Sequence, residues 1–232
     1  MRTTIRRKAR EEKSMIRRIV IVTSVVALLG ATVSAAASPW ETADISEQGA
    51  TDEVVATDGA KIHRTAKGVT ASVSMPAPVP GEYEVPETPT SSGVEGSPAA
   101  FSLWVFIFFN PDACDGFPCV GSDLADEDVV AAGYSAGGHL VAGSHLTISG
   151  KVNAQNKAFG PEGVPVCTGG DAGESVCVET VGQALALGYT IDDAEIHIAV
   201  APHGKLDPSL LPAQISTPAG NAAEHWWTAL FE

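Results

Sequence analysis

Basic residues are scarce in most of this 232-residue chain, which has 14 Lys and Arg residues against 28 Asp and Glu. Residues 1–37 contain eight of the basic residues and two of the acidic ones. Residues 38–232 therefore carry six basic and 26 acidic residues, a net charge of about −20. A surface of this sign repels nucleic-acid phosphates and anionic membranes. Nucleic-acid binding is therefore excluded, and cations or an extracellular protein remain as types of partner.

The chain also lacks an apolar run long enough to span a bilayer comfortably, which takes about 20 residues. Its uncharged apolar run at residues 19–33 has only 15 residues; basic residues precede it and the small residues 34–37 follow it. This order is typical of a secretory signal peptide. The pattern predicts cleavage near Ala37, no stable membrane anchor after cleavage, and a secreted or cell-surface protein.

Cysteine is rare, and its spacing excludes two kinds of site. The four cysteines are Cys114, Cys119, Cys167 and Cys177, and no two are spaced as C-x-x-C, which excludes a thioredoxin-like redox pair and a zinc knuckle. An even number of cysteines in an exported chain predicts disulfides, with three connectivities open. We expect the local pairs Cys114–Cys119 and Cys167–Cys177, because each pair brackets a Gly- or Pro-containing loop.

Helical periodicity is nearly absent, and strand patterns dominate. Residues 69–75 alternate apolar and polar side chains, whereas residues 101–109 are apolar on both faces, as in a central strand buried on both sides. Further strand-like runs lie at 129–134, 139–150, 194–200 and 210–216, and only 180–187 and 222–231 look helical. These patterns predict an all-β fold, an antiparallel β-sandwich or barrel-like domain with minor helix.

The domain organisation follows from shifts in composition. We expect a signal peptide at 1–37, then a flexible, disordered acidic arm at 38–66 with little periodicity. The β-sandwich domain is expected at 67–220, with an exposed proline-rich loop at 76–98. A short C-terminal helix or tail completes the chain at 221–232.

One motif has the form of a serine hydrolase's nucleophile elbow, G-x-S-x-G. Residues 133–137 read Gly-Tyr-Ser-Ala-Gly, and a catalytic order Ser135, Asp193, His203 can be drawn. The elbow needs a strand, a strained turn and then a helix, but the residues after it favour a strand, and no His-Gly-Gly oxyanion motif precedes it. We therefore favour a Gly-rich turn between two strands and predict no catalytic role for Ser135.

A second alternative function is divalent-metal binding by Glu195, His197 and His203. Glu195 and His197 alternate with apolar residues and would share one face of a strand, with His203 just beyond it. His139 and His145 add imidazoles without a recognised spacing. A solvated strand face is the favoured interpretation, so no cofactor is expected.

Six carboxylates crowd the region around Cys114 and Cys119. They could hold Ca²⁺, but the EF-hand register is missing, and a plain acidic loop is favoured. The six residues are Asp112, Asp115, Asp123, Asp126, Glu127 and Asp128.

Three segments together resemble a group of uncharacterised exported bacterial β-rich proteins. The segments are residues 68–75, then Trp-Val-Phe-Ile-Phe-Phe-Asn-Pro at 104–111 with Cys114, then Ala-Glu-Ile-His-Ile-Ala-Val at 194–200 with His203-Gly204 and Gln214-Ile215. The group shares a W-x-V-x-F-N-x-P…C strand and an A-E-[IV]-H…H-G…Q-I segment. A fainter similarity runs to the chordin-type (CHRD) extracellular domain.

This resemblance covers roughly residues 68–216 and implies a β architecture rather than a hydrolase fold. It carries over no functional residue. The proline-rich insertion at 76–98 and a C-terminal region without further cysteines depart from the group's pattern. The function expected from the sequence is a secreted, disulfide-stabilised all-β domain with a binding or structural role outside the cell and no evident catalysis.

Overall fold

The computed structural model describes residues 39–48, 53–83, 85, 87–126, 128–158, 167–169, 175–216 and 226–232. The predicted signal peptide and its cleavage site lie outside these residues. Twelve strands and one α-helix are described. They are β1 (Glu41–Gln48), β2 (Val54–Thr65), β3 (Gly68–Pro76), β4 (Glu87–Thr88), β5 (Ser91–Ser92), β6 (Ala99–Phe108), β7 (Ala131–Val141), β8 (His145–Asn153), β9 (Cys167–Gly169), β10 (Ser175–Cys177), α1 (Val181–Ala186), β11 (Glu195–Lys205) and β12 (Trp226–Phe231).

Eight of the strands form one antiparallel sheet that curls into a nearly closed barrel. Their order is β7-β6-β11-β12-β1-β2-β3-β8. The two end strands, β7 and β8, lie side by side at the seam, where the backbones of Ala136 and Gly150 approach closely. The all-β prediction is confirmed, and the architecture is the barrel-like one of its two forms.

The apolar strand β6 lies at the centre of the packing, with both faces covered as predicted. Phe101, Leu103 and Val105 point into the barrel core, and Trp104 and Phe108 lie in two smaller clusters on the outside. All five side chains are at most 2% exposed. Burying a side chain of this size contributes about 1.5–3 kcal/mol, so β6 is a main source of stability.

The structure corrects the prediction of a flexible acidic arm at 38–66, because β1 and β2 lie there. Ile45, Ala60 and Ile62 are buried in the core, while the intervening polar residues face outward. The apolar positions of β1 and β2 are too few to give an alternating signal in the sequence. Pairing with β12 and β3 supplies the order that local pattern does not.

The C-terminal segment is also different from its prediction, since Trp226–Phe231 forms strand β12 rather than a helix. Trp227, Ala229 and Phe231 are buried and alternate with half-buried residues, which is the period of a strand. The helical spacing was a coincidence of a short aromatic-rich segment. Residues 217–225 lie outside the described residues.

Two shorter predictions have opposite outcomes. Helix α1 is confirmed within 180–187, and the side chain of Thr180 caps it by accepting the Gln183 N–H. The strand predicted at 210–216 is wrong: a turn and the 3₁₀ helix Ala213–Ile215 lie there. Pro212 precedes that turn of helix and cannot donate to a strand ladder.

The proline-rich segment 76–98 is mostly irregular, as predicted, and includes the short hairpin of β4 and β5. Its residue Tyr83 is nevertheless buried against Phe101 and Trp227 in the core. No helix among the described residues combines the length and apolar character needed to cross a membrane.

Candidate functional site

The connection between β6 and β7, residues 109–130, is tied by a disulfide between Cys114 and Cys119, as predicted. We call this connection the disulfide loop. Cys119 packs with Phe108, Val129 and Ala131 on the outer face of the barrel. The loop therefore covers one end of β6 and β11 and shapes the surface beside them.

Glu195 and His197 lie on the outer face of β11 under the disulfide loop. Glu195 Oε1 accepts the backbone N–H of Cys119 at 2.9 Å and lies 2.5 Å from His197 Nε2. The Phe108 ring lies 5.0 Å, centroid to centroid, from the His197 ring. The prediction that the two residues share a strand face is confirmed, but the face is covered rather than solvated.

The second carboxylate oxygen of Glu195 has a different environment. Glu195 is 2% exposed, and its Oε2 is buried without a hydrogen-bond partner among the described residues. A buried carboxylate oxygen without a donor is costly, because it has lost its hydrogen bonds to water without gaining one from the protein.

Two pockets flank the Glu195–His197 pair, one on each side of the disulfide loop. The first, which we call the loop pocket, includes Glu195 and has a volume of about 300 Å³. The second, which we call the strand pocket, includes His197 and has a volume of about 440 Å³. The loop pocket is lined by Pro111, Asp112, Cys114, Gly116, Phe117, Asp193, Glu195 and Glu232.

His203, the third residue of the predicted metal group, lies elsewhere. It is six residues from His197 along β11, a separation of about 20 Å at the usual rise per strand residue. Its Nδ1 lies 3.0 Å from the Thr90 carbonyl, and its Nε2 lies 2.8 Å from Ser102 Oγ. The structure thus brings Glu195 and His197 together but does not bring His203 to them.

The surroundings of His203 define its protonation state. Nδ1 donates to the Thr90 carbonyl, so Nε2 accepts from the Ser102 hydroxyl, which itself accepts from Trp104 Nε1 at 2.8 Å. Burial lowers the pKa of His203, and the hydrogen bond to Thr90 opposes this only in part. His203 is therefore a neutral histidine of the core. Gln214 completes the cluster by donating to the His203 carbonyl at 3.1 Å.

Sequence reasoning missed this buried cluster of Ser102, Trp104, His203 and Gln214. The residues come from three separate elements, and only their assembly puts them together. One signal was available: Ser102 is a single hydroxyl residue inside an otherwise apolar strand.

The acidic residues of the disulfide loop shape its turns. Asp123 accepts the Val120 N–H at 2.6 Å, and Asp126 accepts the Asp128 N–H at 2.8 Å. Within the described residues, three metal-ligating side chains converge to within 4.8 Å only at Cys114, Cys119 and Asp123. There the two sulfurs are joined to each other, so they offer no thiolates. Glu127 lies outside the described residues.

The isolated histidines do not join a site. The His139 side chain is exposed on β7, and the exposed His145 lies with Nε2 2.9 Å from Ser74 Oγ across the β8–β3 pair.

Ser135 lies inside strand β7, opposite Trp104 of β6. The expected turn at 133–137 is therefore wrong, and the backbone at Ser135 is not a nucleophile elbow, which needs a turn followed by a helix. Asp193 Oδ2 accepts from the Thr190 hydroxyl at 2.7 Å, and His203 is occupied with Ser102 and Thr90.

Two glycines near this motif allow close backbone approach, Gly138 to the 3₁₀ helix Ala213–Ile215 and Gly150 across the barrel seam. A Cβ atom at Gly138 would overlap the carbonyl of Ile215, and one at Gly150 of β8 would overlap the carbonyl of Ala136. Close backbone approach explains these two glycines. The G-x-S-x-G match is thus part of a Gly-rich strand.

The second predicted disulfide rests on backbone pairing alone. β9 and β10 pair so that Cys167 lies opposite Cys177. Their side chains lie outside what the structure describes, and the Cys167–Cys177 bond stays a prediction.

A scan against protein-family models, a search of curated proteins and a search of solved structures each found no match. The resemblance to exported bacterial β-rich proteins and to the CHRD domain therefore stays a proposal. The functional conclusion rests on the sequence and on the geometry of this chain.

Proposed function

We propose that this chain is an exported, disulfide-stabilised β-barrel domain that binds a ligand outside the cell. The order of basic, apolar and small residues at 1–37 supports export. The bond between Cys114 and Cys119 fits an oxidising compartment, where such bonds form and persist.

The main support for a binding role is the way the disulfide loop covers Glu195. This loop forms a pocket beside a buried carboxylate oxygen that no group in the described part of the chain satisfies. Clefts with a few well-placed polar groups are the usual form of ligand sites.

Neither of the two alternative functions, hydrolysis and metal binding, is supported by a specific observation. Ser135 lacks the turn and helix that activate a serine nucleophile. The metal group loses His203, and the pair of Glu195 and His197 has no third ligand within 4.8 Å among the described residues. The proposed function therefore includes neither hydrolysis nor a metal ion held directly by protein side chains.

Export is tested by expressing the full chain with its own leader in a bacterium. We expect a protein in the periplasm or the medium whose N-terminus begins within a few residues of 36–39. Peptide mapping without reduction should recover Cys114 linked to Cys119. A soluble cytoplasmic protein that keeps its leader, or one with free thiols at both positions after export, would contradict the proposal.

A further inference from the structure

The loop pocket has a one-sided charge. Four acidic residues are among the eight that line it, and none of the eight is Lys, Arg or His. Asp112, Asp193 and Glu232 are exposed at its rim, while Glu195 is buried at its base. Such an arrangement favours a cationic occupant, because a walled pocket with charges of one sign concentrates the field inside it.

The buried oxygen of Glu195 points to a specific contact rather than a diffuse attraction. Oε1 is already held by the Cys119 N–H and by His197, which leaves Oε2, buried at the base of the pocket, as the carboxylate oxygen without a partner among the described residues. A ligand that donates a hydrogen bond to Oε2 would remove the cost of its missing partner.

The spacing of the acidic groups argues against a bare metal ion. No three ligand atoms from Asp112, Asp193, Glu195 and Glu232 lie within 4.8 Å of one another. Calcium binds six to eight oxygens at about 2.3–2.6 Å, which requires a much tighter cage. The occupant must therefore bring its own hydrogen-bond donors and fill a wider space.

The rest of the pocket wall is apolar and suits a short hydrocarbon chain. Pro111, the disulfide sulfur of Cys114 and the Phe117 ring line it. Phe117 is 67% exposed, an unusual position for a phenylalanine and one that leaves its ring face free. An ammonium group over such a ring gains a cation–π contact of about 0.5–1 kcal/mol.

We propose that the loop pocket binds a primary alkylammonium group, with its nitrogen donating to Glu195 Oε2 and its alkyl chain along Phe117 and Pro111. A second ammonium group, four or five carbons away, would reach the rim carboxylates. This inference deepens the proposed binding role and rests on it. Aliphatic di- and polyamines have this chemistry, and so does the side chain of lysine in a protein partner.

The test is a titration of the purified protein, disulfide intact, with putrescine, Nα-acetyl-lysine methylamide and CaCl₂ at low ionic strength. Amide chemical shifts report the position of binding, and calorimetry reports the affinity. The variants are Glu195→Gln, which keeps shape and an acceptor for Cys119, and Phe117→Ala, an exposed change that does not endanger folding. Glu82→Gln is the matched control, because it removes one charge from an exposed site in a different pocket.

We expect an amine to shift the amide signals of Gly116, Asp193 and Glu195. Glu195→Gln should weaken binding by roughly tenfold or more, as for the loss of one charge-assisted hydrogen bond. Phe117→Ala should weaken it several-fold, and Glu82→Gln should leave it unchanged. Stronger binding of putrescine would support a free polyamine as the ligand, and equal or stronger binding of Nα-acetyl-lysine methylamide, which has a single ammonium group, would support a lysine side chain.

Three results would overturn the proposal. The first is no response at about 10 mM amine, which is too weak for a built site. The second is amine binding that Glu195→Gln leaves intact. The third is Ca²⁺ binding that depends on Glu195 while amines do not bind. Each of these results leaves export untouched, since export is tested by leader cleavage and disulfide mapping.

Discussion

Arg64 of β2 lies with its Nε 2.9 Å from Glu41 Oε1 of β1, and the pair closes one end of the barrel. Arg64 is 4% exposed, and its guanidinium also donates to the carbonyls of Ile191, Ala194 and Glu232. One side chain therefore joins β1 and β2 to the segment before β11 and to the end of β12.

Replacing Arg64 with Met should lower the free energy of unfolding by about 3 kcal/mol, because buried carbonyls and the Glu41 carboxylate lose their donor. Urea unfolding followed by tryptophan fluorescence measures the change. Lys61→Met is the matched control: it removes one positive charge from an exposed position of the same strand. Equal stability of the two variants would show that Arg64 does not hold the barrel end.

Substitution of glycine by alanine should have effects that differ with the position of the glycine. Gly138→Ala and Gly150→Ala should each lower the free energy of unfolding by about 2 kcal/mol, since the added methyl group overlaps a backbone carbonyl. Gly143→Ala should have little effect, because its Cβ would meet nothing within 4 Å. Thermal unfolding of the three variants tests this order. The same loss in all three would show that close backbone approach at Gly138 and Gly150 is not the cause.

Acid should destabilise the protein through His203. Burial lowers its folded-state pKa below the ordinary value of 6.5, so the unfolded chain takes up the proton first. Stability is therefore complete above pH 6.5 and falls as the pH drops below it, by at most about 1.4 kcal/mol per pH unit.

Urea unfolding at a series of pH values between neutrality and the onset of carboxylate titration measures this slope. His203→Gln should be less stable at neutral pH and should lack the slope. His145→Gln serves as the control, because that side chain is exposed on β8. A slope unchanged in His203→Gln would assign the acid sensitivity to other groups.

The disulfide should stabilise the fold and hold the loop over Glu195. Replacing Cys114 and Cys119 together with Ser should lower the free energy of unfolding by about 2 kcal/mol, the chain-entropy value for so short a loop. Denaturant unfolding under non-reducing conditions measures this loss of stability.

Peptide mapping should also recover Cys167 linked to Cys177. A link between Cys114 and Cys177 would refute the local pairing.

Ser135 should not react as a nucleophile. It is a strand residue paired with Trp104, beside an irregularity in the β6–β7 register, without the helix N-terminus that supports an oxyanion. A fluorophosphonate probe should leave the purified protein unlabelled. Stoichiometric labelling that Ser135→Ala abolishes would overturn this expectation.

Local pattern was enough to predict the strands whose burial is strong. β3 and β6 were recognisable because their apolar residues repeat at the strand period or fill both faces. β1 and β2 were missed because few of their side chains enter the core. The segment of β12 was predicted as a helix because Ala223, Trp226, Trp227, Leu230 and Phe231 also fit a helical spacing of i, i+3, i+4, i+7 and i+8.

The candidate site was predictable only in its parts. The pairing of Glu195 with His197 follows from their spacing on one strand, since alternate side chains share a face. The spacing does not predict that this face is covered. The cover is a loop some 80 residues earlier in the chain, which folds back over β11.

The sequence by itself determined the β class, the negative charge of the chain and the local disulfide at Cys114–Cys119. These depend on composition and on short-range periodicity, which act within a few residues. Only the tertiary structure decided that the sheet curls into a barrel, that His203 is a neutral core residue and that Glu195 lies at the base of a pocket. These depend on contacts between distant segments, where burial rather than residue type sets the chemistry of a side chain.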